Sequence, residues 1–131
     1  MRNWSPVDVL PEILMDVPEL VFAYARDGRY LFINEAAAEF LNADPMSVVG
    51  SHWRDLGYSP DVMLPLTRRV EAVASTGSAE HYRFVSSPER GLRTFDMSLT
   101  PMWSEQGNVL GVLAIAHDIS EFFALESSRL A

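Results

Sequence analysis

Three histidines, His52, His81 and His117, are the first side chains in this sequence whose type could bring chemistry. Their spacing matches no metal-ligand pattern and they fall on three different predicted elements, so surface or capping roles account for them better than a shared metal. The run His117, Asp118, Ile119, Ser120 contains the residue types of a nucleophilic triad. His117 and Asp118 are consecutive on a predicted strand, however, and so point to opposite faces, which separates a base from the carboxylate that would orient it. A small acid/base enzyme of cone-like α+β fold needs only one buried carboxylate. Asp96, the acidic residue best placed in a strand, falls on the polar side of it. The sequence thus assigns no catalytic residue and no metal ligand. With no cysteine present, disulfides, thiolate ligands, cysteine nucleophiles and cysteinyl flavin adducts are excluded.

The elements that position these residues are organised around the stretch from Gly107 to Glu121. Nearly uninterrupted apolar residues from Val109 to Ala116 are too few to span a membrane and rich enough in Val, Leu and Ile for a central strand buried on both faces. One alternating set is Val112, Ala114 and Ala116, and the other is Leu113, Ile115 and His117, so one side of this strand is thin and the other bulky. The thin side leaves room for something. Asp118 then stands as a helix N-cap with Glu121 at the reciprocal capping-box position, which predicts a C-terminal helix directly after the strand.

Upstream, Ser5-Pro6 opens an amphipathic helix with Val7, Leu10, Ile13 and Leu14 on one stripe, ending near Asp16. Leu20 to Tyr24 and Tyr30 to Ile33 read as strands joined at Asp27-Gly28. Asn34 caps a helix over Glu35 to Leu41, and Asp44-Pro45 starts another turn of helix that Gly50 can end. His52 to Leu56 predicts one helical turn with Trp53 and Leu56 inward. Pro65 predicts a break after Ser59-Pro60, with the regular helix over Pro65 to Thr76, Leu66, Val70, Val73 and Ala74 buried, Arg68, Arg69 and Glu71 in solvent, and Gly77 as the stop. Ala79 to Val85 and Leu92 to Met102 are two more strands, separated by the turn Ser86 to Gly91. The second alternates cleanly, Phe95, Met97 and Leu99 inward against Thr94, Asp96, Ser98 and Thr100.

Composition bounds the rest. The chain has 131 residues, 48% hydrophobic and 11% aromatic, which suits one folded domain with a real core. A net charge of -8 argues against nucleic acid or an anionic membrane surface as its partner. No apolar run reaches the length of a membrane span and no signal peptide opens the chain, so the sequence predicts a cytoplasmic domain. All ten basic residues are Arg, for which we have no physical account.

A hairpin, several short helices and a three-strand meander, in that order, resemble a PAS domain over about residues 10 to 126. The matching pieces are Leu10 to Leu14, the run Ala25 to Asn34, the run Val48 to Leu56, and His117 to Glu121, which looks like the Asp-Ile-Thr-Glu closing many such domains. Trp53 to Leu56 looks most like PAS domains of bacterial multi-domain sensor histidine kinases. The resemblance implies an α+β PAS fold, a five-stranded antiparallel sheet in the order 2-1-5-4-3, with short helices on one face enclosing a possible cavity. It divides the chain into an N-terminal helix over residues 1–16, a PAS core over 17–118 and the start of a signalling helix over 119–131. One departure is Phe122 and Phe123, which stand where the family often carries a basic pair.

Placed on that fold, the resemblance puts Ala116 on the cavity face with Phe95 and Met97. It implies a mostly apolar site lined by Trp53, Met63, Leu66, Tyr82, Phe84, Phe95, Met97, Ala114 and Ala116, where a tyrosine hydroxyl or indole nitrogen gives a small aromatic or aliphatic ligand a polar handle. Heme-binding relatives commonly take an axial histidine from the long helix before the third strand, and Pro60 to Thr76 has none; neither heme nor flavin is expected. Asp118 and Glu121 are the expected coupling residues, passing a signal from the sheet into the C-terminal helix and on to an output domain such as a histidine kinase. The apolar stripe Ile119, Phe122, Phe123 and Leu130 stops at Ala131 without a cap, so that helix is expected to continue in a longer parent. Leu113 and Ile115, opposite the cavity, predict a homodimer through the outer sheet face and terminal helices. The alternatives are a ligand-free PAS domain that serves dimerisation or protein interaction, and the small acid/base enzyme.

Overall fold

In the computed structural model residues 14–86 and 92–121 are described. The helix expected over residues 1–16 lies almost wholly outside them, as do the turn Ser87 to Gly91 and the apolar stripe beyond Glu121. Among the described residues the elements are β1 (Leu20–Ala25), β2 (Tyr30–Ile33), α1 (Glu35–Leu41), α2 (Pro45–Val48), α3 (Pro60–Thr76), β3 (Glu80–Val85), β4 (Thr94–Trp103) and β5 (Val109–Asp118).

The strands form one five-stranded sheet in the order β2-β1-β5-β4-β3 with every neighbouring pair antiparallel, as the resemblance implies. β5 is central, between β1 and β4. Its inner set, Val112, Ala114 and Ala116, is buried, while Leu113 and Ile115 on the other face are only half-buried. Burial on both faces was expected; among the described residues the helices pack on one face only, where α1 meets β1 and α3 meets β4 and β5. Gly111 carries no side chain for a reason, since a Cβ there would run into the Tyr24 carbonyl on the neighbouring strand.

Local chemistry explains the ends of the elements. The β1–β2 hairpin closes with the Gly28 N–H donating to the Ala25 carbonyl at 2.9 Å, and Gly28 takes φ of 91°, the three-residue loop in which a turn is followed by a left-handed residue. Asn34 caps α1 by accepting from the Ala37 N–H, and Asp44 caps α2 by accepting from the Met46 N–H, with Pro45 at the first helical position. α2 ends at Val48 with Val49 as its C-cap, one residue before the expected Gly50. His52 to Leu56 is a turn with Trp53 buried and Leu56 half-buried.

Pro65 does not break its helix. α3 runs unbroken from Pro60 to Thr76 with Pro65 inside it. Pro65 and Asp61 are both exposed, so the Asp61 carbonyl that loses its intrahelical donor faces water rather than the core. Val70, Val73 and Ala74 are buried as predicted, and Leu66 is half-buried. Arg69 departs from its expected place in solvent. It is half-buried because its guanidinium lies 3.9 Å from the centre of the Tyr82 ring and 3.1 Å from Glu80.

Candidate functional site

The thin side of β5 is the floor of a cavity. Strand pairing sets Leu20, Ala116, Met97 and Tyr82 in one row across β1, β5, β4 and β3, so the single methyl of Ala116 is a dip between large neighbours. Over that dip lies a cavity of about 110 Å³, walled by β1, β3 and β4 and roofed by residues of α1 and α3. Met63, Leu66, Tyr82, Phe84, Phe95, Met97 and Ala116 line it, all of them expected from the sequence.

Trp53 and Ala114 were expected in the wall and are not part of it. Trp53 is buried with its indole Nε1–H donating to the Thr67 Oγ1 at 3.0 Å, which fastens the turn to α3 and spends the ring's polar handle inside the core. Ala114 pairs with Phe22 on one side and Leu99 on the other and is wholly covered.

Sequence reasoning missed the opposite wall. Leu20, Phe22 and Tyr24 of β1, Tyr30 of β2, Phe40 and Leu41 of α1, and Tyr58 ahead of α3 all line the same cavity. β1 is apolar throughout and buried from Leu20 to Tyr24, so no alternation marks its inner face. The signal available was the pairing Tyr24 to Tyr30 across the hairpin, once its loop length is known.

Every tyrosine in the chain, four in all, meets this cavity. Burial pushes the Tyr24 phenol well above the usual tyrosine value, and the phenols of Tyr30, Tyr82 and Tyr58 add to the shift, which brings the four within electrostatic reach of one another. Tyr24 and Tyr30 share a side-chain hydrogen bond, their ring centres 4.9 Å apart. Tyr82 differs: its hydroxyl is shut from solvent and finds no hydrogen-bond partner among the described residues. Burial pushes its pKa up to about 12, against the opposing influence of Arg69. The phenol therefore stays protonated, a hydrogen-bond donor on a residue that lines the cavity. Among the described residues no charged side chain and no histidine lines the cavity.

At one end the wall connects to the exit of the sheet. Arg93 lies 5.3 Å from the centre of the Phe40 ring and 5.2 Å from that of Phe95, and its Nε and Nη2 reach Asp118 Oδ2 at 2.8 and 2.7 Å. The other carboxylate oxygen of Asp118 accepts from the Ser120 N–H at 2.9 Å, while the Thr94 N–H donates to Ser120 Oγ at 2.8 Å. Partial burial opposes the charged form of Asp118, but its bonds from Ser120 and Arg93 outweigh that and hold the carboxyl below its ordinary value of 3.8. Helix resumes at Ser120, and Asp118 makes the capping contact expected of it, accepting from the N–H two residues on as Asp44 does at the start of α2; Glu121 is exposed.

The histidines stay apart. His52 Nδ1 accepts from the Arg54 N–H, His81 pairs with Ser98, and His117 lies 3.8 Å from Glu19. Among the described residues no group of three His, Asp or Glu side chains is placed to hold a metal ion, and no helix is long and apolar enough to cross a membrane.

Solved structures share this architecture. A sensory box sensor histidine kinase from Vibrio cholerae superposes with a TM-score of 0.66 at 18% identity, covering 84% of this chain and 89% of that one. A phage VqmA–DPO complex gives 0.78 at 14% identity, covering 95% and 57%, and the Vibrio cholerae VqmA dimer gives 0.75 at 13%, covering 92% and 53%. The chain spans about half the length of these VqmA proteins. No curated protein matches it. Identities this low carry the fold alone, but the sequence itself, over residues 14–123, matches the PAS fold family, and the chain belongs to it.

Proposed function

We propose that this PAS domain is a sensor that binds a small molecule in the cavity over Ala116 and passes the change through β4 and β5 to Asp118 and the helix that follows. The observation that carries the reading is the cavity itself: a space of about 110 Å³ lies where a filled core would place side chains. For scale, a dry engineered cavity of about 150 Å³ accepts benzene. The path out is physical, since Arg93 touches two cavity rings and grips Asp118. In the parent protein the output is a domain such as a histidine kinase, and the domain works in the cytoplasm as a binding module rather than an enzyme. A wall that among the described residues has no carboxylate, histidine or cysteine supports this, and gives a histidine-ligated heme or a cysteinyl flavin no anchor there. A structure sharing this fold, that of phage VqmA, is of a complex with a named small ligand, DPO.

Replacing Ala116 by Leu tests the reading. With a ligand site present, Ala116→Leu abolishes ligand binding and leaves a folded domain of nearly unchanged Tm, because the added methylenes enter the cavity. If that space is packed, the overpacking lowers stability by roughly 1 to 3 kcal/mol and overturns the proposal. Thermal unfolding of both proteins, with and without a panel of small aromatic compounds, reads the result.

The second reading is self-association, and the outer sheet face favours it. Leu113 and Ile115 leave apolar area half-exposed beside buried Val21 and Ala23 on β1. A homodimer through this face is compatible with ligand sensing and gives the output helices a partner.

A further inference from the structure

We propose that the cavity selects a neutral, single-ring compound carrying a hydrogen-bond acceptor, and that the Tyr82 hydroxyl is the donor that recognises it. This rests on the cavity being a ligand site. Its first support is the Tyr82 hydroxyl, the one buried side-chain polar atom left without a partner among the described residues, on a residue of the wall. A buried hydroxyl with nothing to bond is unfavourable, and a purely structural core would carry Phe at this position. Since the phenol remains protonated, the complementary ligand atom is an acceptor such as a ring nitrogen or a carbonyl oxygen.

Charge is decided by what stands behind the rings. A cage of aromatic faces would suit a cation, but here guanidinium groups already occupy faces of the wall: Arg69 covers Tyr82, and Arg93 covers Phe40 and Phe95. A ligand cation would meet positive charge on two sides. An anion fares no better, because Arg69 is paired with Glu80 and Arg93 with Asp118, and among the described residues no cation lines the cavity. Burying an ion of either sign without a counter-charge is unfavourable enough to leave neutral molecules as the class admitted. Shape follows from the wall: Phe84 and Phe95, with centres 6.3 Å apart, and Tyr24 and Tyr30, with centres 4.9 Å apart, already pack on each other, so a flat ring stacks against these aromatic side chains rather than between the members of a pair. The volume allows on the order of six heavy atoms.

Four single-ring probes distinguish the terms: pyridine at mildly alkaline pH, benzene, benzoate and N-methylpyridinium, each titrated by NMR into wild type and Tyr82→Phe. Pyridine should bind wild type about five- to tenfold more tightly than benzene, the difference should vanish in Tyr82→Phe, and neither ion should saturate. Tyr82→Phe should unfold at or above the wild-type Tm, because it removes an unpartnered hydroxyl. Equal binding of benzene and pyridine to wild type, a preference that survives in Tyr82→Phe, tighter binding of either ion, or a lower Tm for the variant would overturn the assignment while leaving the cavity a ligand site. Binding of none of the four to either protein would overturn both.

Discussion

Asn34 shows how much one polar side chain can hold. It is wholly buried, yet its Oδ1 accepts from the N–H groups of Val21 and Ala37 at 3.1 and 3.0 Å, and its Nδ2 donates to the carbonyls of Glu19 and Leu14 at 2.8 and 3.0 Å. One residue thereby caps α1, starts β1 and fixes the segment before it. Asn34→Ala strands several of these groups away from water and should lower stability by about 2 to 4 kcal/mol, read as a reduced denaturant midpoint at unchanged slope. Asn34→Asp keeps the acceptor and loses the donor, so it should also destabilise. The cap was legible because Asn before an apolar helical stripe is a local signal. Its bonds to Leu14 and Glu19 were not, since partners that far along the chain leave no periodic mark. The same difference separates Ala116, legible as the thin side of an apolar strand, from Tyr24 and Tyr30, whose shared place in the wall follows only from register.

The end of β5 is where packing becomes a titratable connection. Asp118 closes the sheet opposite Phe95 and is gripped by Arg93 from the start of β4, while Ser120 bonds back to Thr94. Because the folded carboxyl lies below its ordinary 3.8, the unfolded chain takes up the proton first as the medium is acidified. The stabilisation is therefore complete above that ordinary value and is lost as pH falls through the lower folded one. Asp118→Asn should be less stable than wild type near neutrality, by about 1 kcal/mol or less for so exposed a pair, and the gap should close at strongly acidic pH. Denaturant melts of both proteins across that range check the sign. Sequence reasoning identified Asp118 as a junction, both as a helix cap and through its resemblance to a family motif, and the strand runs up to it while its side chain accepts from the Ser120 N–H. Pro65 taught a related lesson: a rule about helix interiors yields when the freed carbonyl faces water.

For the whole molecule the sheet order matters most. Among the described residues, helices on one face leave the other, centred on Leu113 and Ile115, for whatever lies beside it. Sedimentation equilibrium at high micromolar concentration should show a dimer, and Ile115→Arg should shift it to monomer with the Tm of the separated domain otherwise kept. A purely monomeric wild type would leave the outer face to the N-terminal segment alone. The five-stranded order was legible because hairpin, helices and meander came in a recognisable sequence; which face stays half-exposed was not, because Leu113 and Ile115 are as apolar as buried residues.

The position of β1 beside β5 also sets a timetable. A ribosome releases β1 and β2 first, and the strand that must lie against β1 is the last one made. At ordinary rates of synthesis that delay is on the order of ten seconds, during which Leu20, Phe22 and Tyr24 have no permanent neighbour on that edge. The nascent hairpin is thus the stretch that trigger-type holding chaperones would meet, and a nascent chain halted before Val109 should remain protease-sensitive, becoming resistant only after Asp118 has cleared the exit tunnel.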